Sequence, residues 1–188
     1  MRNLFALMTA FITLPAFAHP GNSTESIGFG FAQGFIHPLG GLDHLLAMVA
    51  VGLWSATTAR RVWLAPLSFA GLLLIGTLPA IGAIALPLVE SMITASVLLL
   101  GFLVMARVHL PELACAVLVG SFALFHGAAH GTELGTGIAL AGMALATALL
   151  HGLGIGGGLL LMKFNLWWQR AVGGCIAFAG AGLAFNLA

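Results

Sequence analysis

Seven side chains able to hold a metal ion or carry a proton lie in three places along an otherwise oily chain. They are His37, Asp43 and His44 in HPLGGLDHLLAM, Glu90 in a separate apolar run, and His126, His130 and Glu133 in FHGAAHGTE. On a helix His126 and His130, four residues apart, share one face, and Glu133, three beyond the second, joins them there. Imidazole nitrogen with carboxylate oxygen suits borderline first-row divalent ions: nickel, cobalt, zinc or manganese. A sulfur-rich set would select copper(I), and an all-oxygen set magnesium or calcium. Met48 follows His44 by four residues on the same face, a spacing that favours packing over ligation.

The elements that position these groups must be membrane helices. Of 188 residues, 61% are hydrophobic and 6% charged, and the mean hydropathy is +1.12. Six basic and five acidic side chains could not cover a soluble core, so the apolar excess faces lipid. This excludes soluble enzymes and nucleic-acid-binding proteins, and a formal net charge of +1 selects no charged partner. Cys115 and Cys175 show no paired spacing and are expected to be buried thiols.

The opening MRNLFALMTAFITLPAFAHPG carries Arg2, a short apolar run ending at Pro15, and the small-residue cleavage pattern Ala16-Phe17-Ala18. Residues 1–18 therefore read as a secretory signal peptide, and residues 19–188 as one transmembrane domain. Cleavage there would leave His19 at the new N-terminus, where its α-amino group and imidazole could grip a metal outside the membrane. Proline, glycine and charge divide the remainder into six predicted spans, at residues 39–58, 63–83, 88–106, 110–131, 134–164 and 167–187. The fifth is overlong, and its glycines from Gly152 to Gly158 permit either a bend or close helix packing.

Arg60, Arg61, Arg107, Lys163 and Arg170 then fall on one side, which the positive-inside rule makes cytoplasmic, with the N-terminus outside. Trp54, Trp63, Trp167 and Trp168 gather at that same boundary and are expected to anchor there. Counting depth along each span puts Asp43, His44, Glu90, His126, His130 and Glu133 in one layer of the outer half. His151 and His109 fall nearer the cytoplasm, His151 on a path inward. Ionisable groups at such depth cost about 2.5 to 3.5 kcal/mol each on insertion scales and usually mark an ion or proton route.

The segment GFGFAQGFIHPLGGLDHLLAM breaks helix rules where it enters the membrane: Pro38 disfavours helix at His37, and Gly40-Gly41 weakens the next turn. Residues 27–36 are too short to span. They form either a re-entrant half-helix, with Gly30 and Gly34 packed against the fourth span, or a loop on the outer surface.

HPLGGLDHLLAMVAVGLW at residues 37–54 and FHGAAHGTE at 125–133 resemble the signatures of the HupE/UreJ family. The resemblance implies a small bacterial inner-membrane protein of about six spans, a nickel or cobalt permease serving hydrogenase or urease systems and not an enzyme. It also implies that His37, Asp43, His44, Glu90, His126, His130 and Glu133 form the metal site.

No G-x-x-x-x-G-K-[ST] loop is present, so neither nucleotide nor nucleic acid enters the expected mechanism. The metal is cargo rather than a permanent cofactor, and the energy comes from the membrane field or from proton exchange. An intramembrane zinc hydrolase, with an open coordination position and an acid as base, is the alternative from another class. Against it stands the lack of an HExxH sequence. A bis-histidine haem site would require an apolar slot, which three nearby acids disfavour.

Overall fold

A chain in hydrocarbon has no water to bond its peptide groups, so helices must satisfy them internally. The computed structural model describes residues 27–81, 86–134 and 137–187; these form seven helices, with no strand among the described residues. They are α1 (Ile27–Gly40), α2 (Leu42–Thr58), α3 (Leu64–Ile81), α4 (Val89–Ala106), α5 (Glu112–Leu134), α6 (Ile138–Leu161) and α7 (Leu166–Leu187). The signal peptide predicted for residues 1–18, and His19, lie outside the described residues.

Helices α2 to α7 each begin and end within four residues of a predicted span. By length and composition α4, α5 and α6 can cross a membrane, and α1 with α2 adds a fourth crossing if that bent pair is one span. Helix α3 carries a shorter apolar stretch, Leu64–Leu78. Large apolar side chains such as Phe178 and Phe185 are more than four-fifths exposed, as expected of surface that meets lipid.

Local chemistry sets the helix ends. Pro111, which has no N–H to lose, precedes α5 and accepts a hydrogen bond from Cys115 N–H at 3.0 Å. Helix α4 closes on Arg107 in the left-handed region (φ 53°), with Val108 N–H bonded to the Leu103 carbonyl at 3.1 Å. A side chain in that conformation costs about 1 kcal/mol, which the capping bonds offset.

Glycines then decide which helices pair, because without a driving hydrophobic effect in lipid the backbones must approach closely. At Gly34 and Gly142 the backbones of α1 and α6 touch; at Gly52 and Gly154, those of α2 and α6; at Gly76 and Gly127, those of α3 and α5; at Gly101 and Gly173, those of α4 and α7. In each case an added Cβ would collide with main-chain atoms of the partner. Between these pairs lies a core that includes Met48, Phe69, Leu73, Val97, Leu100 and Met143.

Four expectations need correction. Helix α1 passes through Pro38, which forfeits the backbone bond to residue 34, and ends two residues later at Gly40. The break comes at Gly41 (φ −97°, ψ 118°), where the chain turns by 82°. Gly30 and Gly34 pack on Ile138 and Ala139 of α6, not on the fourth span. Trp54 is 1% exposed, its indole N–H donating to the Val108 carbonyl at 2.9 Å, so it is a core tie and not an interface anchor. Trp63, Trp167 and Trp168 are exposed. Cys115 is buried as expected, but Cys175 is exposed.

The overlong fifth prediction is one helix, α6, and its Gly154 and Gly158 serve close packing against α2. All five expected basic residues gather at one end of the bundle. Arg60 and Arg61 line a cleft with Glu112, Arg107 meets the α6–α7 turn that contains Lys163, and Arg170 follows Gln169 there.

Candidate metal centre

At the other end, three helices deliver four imidazoles to one place. The 82° bend at Gly41 separates His37, in the last turn of α1, from Asp43 and His44, in the first turn of α2. Helix α5 supplies His126 and His130 one turn apart on the face toward them. Ring centroids lie 4.8 Å apart for His37 and His130, 4.8 Å for His44 and His126, and 4.4 Å for His44 and His130. The two motifs thus interlock, each histidine of one beside a histidine of the other.

Hydrogen bonds hold two of these rings. Asp43 Oδ1 accepts from the His44 backbone N–H at 2.8 Å and lies 2.9 Å from His44 Nδ1. A carboxylate only accepts, so Nδ1 carries the proton and Nε2 keeps its lone pair. On α4, Ser96 Oγ donates its one proton to the Ile93 carbonyl at 2.6 Å and lies 2.9 Å from His126 Nε2. With that proton committed, His126 Nε2–H is the donor, and the lone pair is on Nδ1.

Those lone pairs are buried and unsatisfied. His44 Nε2, His126 Nδ1 and both ring nitrogens of His130 have no hydrogen-bond partner. Buried polar atoms are normally paired, and leaving one bare costs about 1 to 3 kcal/mol. Several bare imidazole nitrogens in one layer are the donor set a borderline divalent cation would satisfy. Among the described residues no three histidine, cysteine, aspartate or glutamate side chains are already arranged as a coordination set.

Below this cluster Phe69 of α3 is fully buried, its ring 5.3 Å from His126 and 5.2 Å from His151. His151 is 2% exposed and its Nε2 is unpartnered; so is the hydroxyl of Thr147, one turn earlier on α6. Met48 packs in the core, and His109 is exposed.

The structure therefore brings together His37, Asp43, His44, His126 and His130. Glu90 stands exposed in the first turn of α4. Glu133 belongs to the last turn of α5, and its side chain lies outside the described residues. Sequence reasoning missed Ser96, Phe69 and Thr147. The only signal for Ser96 and Thr147 was a lone hydroxyl inside an apolar span.

A family model described as HupE / UreJ protein matches residues 6–183. Over 125 residues the chain is 43% identical to "Protein HupE" of Rhizobium leguminosarum bv. viciae, an alignment covering 64% of this chain and 65% of that protein, slightly less than two thirds of its length. No solved structure matches the chain.

Proposed function

The chain belongs to the HupE / UreJ family, and from that premise we propose that it is a permease importing a divalent transition metal ion across a bacterial inner membrane. Nickel is the favoured cargo and cobalt the next, for maturation of a metalloenzyme such as hydrogenase or urease. The observation that carries this reading is the convergence of His37, His44, His126 and His130, with bare buried nitrogens on three of them.

The spacing supports a six-coordinate ion. With a metal–nitrogen bond of about 2.1 Å and roughly 1.2 Å from nitrogen to ring centre, two imidazoles in adjacent octahedral positions have centroids ~4.7 Å apart. The observed separations run from 4.4 to 4.8 Å, close to that value, and the rings would have to turn to aim their nitrogens at one ion. The anchored tautomers of His44 and His126 leave their lone pairs ready for it. Glu133, Glu90 and His19 are the groups proposed to assist capture of the ion before it reaches the histidines.

The ion then passes Phe69 to His151 and Thr147 and leaves at the basic end, which is the cytoplasmic one. A dication entering a negative interior gains roughly 4.6 kcal/mol per 100 mV, enough for accumulation on the order of a thousandfold without nucleotide hydrolysis. Crossing is by six spans, with the α1 arm as a re-entrant segment.

Uptake of radioactive nickel and cobalt by cells carrying the wild type, His126→Ala, Asp43→Asn or Glu133→Gln tests the proposal. Each variant is expected to lose most uptake at equal protein level, and normal uptake in all three would refute the site. The zinc hydrolase alternative would instead show hydrolysis by purified protein and no metal flux in vesicles.

A further inference from the structure

The basic end of the bundle holds a second group of unsatisfied side chains, far from the histidines. Where α4 ends, the α6–α7 turn and the start of α7 enclose a cavity of about 120 Å³, lined by Arg107, Leu161, Met162, Phe164, Leu166 and Gln169. Gln169 is 2% exposed, yet its amide nitrogen has no hydrogen-bond partner. Arg107 Nε is likewise buried and unpartnered. Two buried donors thus line one cavity, and no carboxylate lines it with them. Glu112, the acid at the start of α5, is paired with Arg61 at 3.5 Å.

The helix ends reinforce this. The carbonyls that close α6 are already bonded, Leu160 by Lys163 N–H and Leu161 by Phe164 N–H at 3.0 and 3.1 Å, and α4 is closed by the bond from Val108. Helix α7 begins at the cavity with Leu166, the positive end of its peptide dipoles, although Asn165 already takes two of its N–H groups, Trp167 N–H on Oδ1 at 3.1 Å and Trp168 N–H on its carbonyl at 3.0 Å. Lys163 lies in the α6–α7 turn and Arg170 near the start of α7, and the exposed Phe164, Trp167 and Trp168 mark membrane-interface depth.

We propose that this cavity is an anion site that receives a phosphate group, either the headgroup of an anionic phospholipid or free phosphate. The Arg107 guanidinium is the charged fork, and Gln169 the neutral donor that orients the oxygens. The phosphate would satisfy both buried nitrogens and tie the ends of α4, α6 and α7 together.

Native mass spectrometry of the full-length protein in detergent tests this, with dioleoylphosphatidylglycerol, dioleoylphosphatidylcholine and inorganic phosphate as separate probes. Phosphatidylglycerol adducts should exceed phosphatidylcholine adducts and fall about tenfold in Arg107→Gln and in Gln169→Leu, as loss of a hydrogen bond to a charged group does. Lys163→Gln, which removes a charge outside the cavity, should change them by less than about twofold. Inorganic phosphate that binds alone with the same Arg107 and Gln169 dependence would identify the soluble anion as the source.

In the wild type, modification of Arg107 by phenylglyoxal, read by peptide mass spectrometry, should be slowed by phosphatidylglycerol or phosphate and not by phosphatidylcholine. This holds the proposal to account even where a variant aggregates. Equal loss in Lys163→Gln with none in Gln169→Leu, or no protection of Arg107 by either anion, overturns it.

Discussion

Ser96→Ala isolates the contribution of one hydrogen bond to metal capture. In the wild type Ser96 Oγ, its proton held by the Ile93 carbonyl, accepts from His126 Nε2–H and so keeps the lone pair on Nδ1. Alanine removes the acceptor, lets the ring exchange tautomers and leaves Nε2 without a fixed partner in a fully buried site. A net hydrogen bond is worth about 0.5 to 1.5 kcal/mol, and groups that orient a ligating histidine change metal affinity by roughly 10- to 100-fold. We take the overlap, about 1.4 kcal/mol or tenfold.

Initial rates of nickel uptake across a concentration series should therefore show the half-saturating concentration about tenfold higher in Ser96→Ala, with the maximal rate altered by less than about twofold. Ser96→Thr, which keeps the hydroxyl, should restore most of the affinity. A half-saturating concentration within twofold of wild type, at matched protein level, would refute the tautomer argument and with it Nδ1 as the ligating atom.

Three further outcomes follow from the same geometry. His151→Ala should lower the maximal uptake rate more than it raises the half-saturating concentration, since capture occurs above Phe69; the reverse pattern in the same assay would place His151 at the entry. Gly154→Ala puts a Cβ into the Val49 carbonyl and should cost about 2 kcal/mol, a fall of roughly 4 to 8 °C in the melting midpoint in detergent, whereas Gly152→Ala, which meets nothing within 4 Å, should shift it by less than about 2 °C. Trp54→Phe loses the bond to Val108 and leaves that carbonyl without it, so the midpoint should drop by about 3 to 6 °C while nickel affinity stays unchanged.

Much of the site was legible because charge is so rare in this chain. With 6% charged residues, each acid or imidazole in an apolar run stood out, and depth counted along straight helices was enough to bring His44, His126 and His130 to one layer. The same counting set Glu90 at that depth but could not tell which way it faced, since height along an axis carries no angle about it. Ser96 and Thr147 escaped notice because a hydroxyl can bond its own helix, so a lone one in a span has an ordinary explanation. Trp54 was read as an anchor because an indole one turn from a helix end suits either lipid interface or core; the Val108 carbonyl that decides between them is 54 residues away. Glycines announced close contact correctly at Gly30 and Gly34, yet spacing says that a backbone approaches, not whose. Pro38 shows a third limit, since a rule about the residue before proline is weak where only the final turn of a helix is at stake.

The elbow at Gly41 looks like a hinge, but it is splinted. Its short arm is fixed to α6 at Gly142 and its long arm to the same helix at Gly154, two points roughly 18 Å apart along that axis. The angle is therefore set by the rod beneath and not by the freedom of the glycine. His37 and His44 ride together on one rigid frame, while His126 and His130 belong to another, the α3–α5 pair. Any opening of the cluster must come from sliding between these two frames, with the seam between facing histidines as the surface that parts.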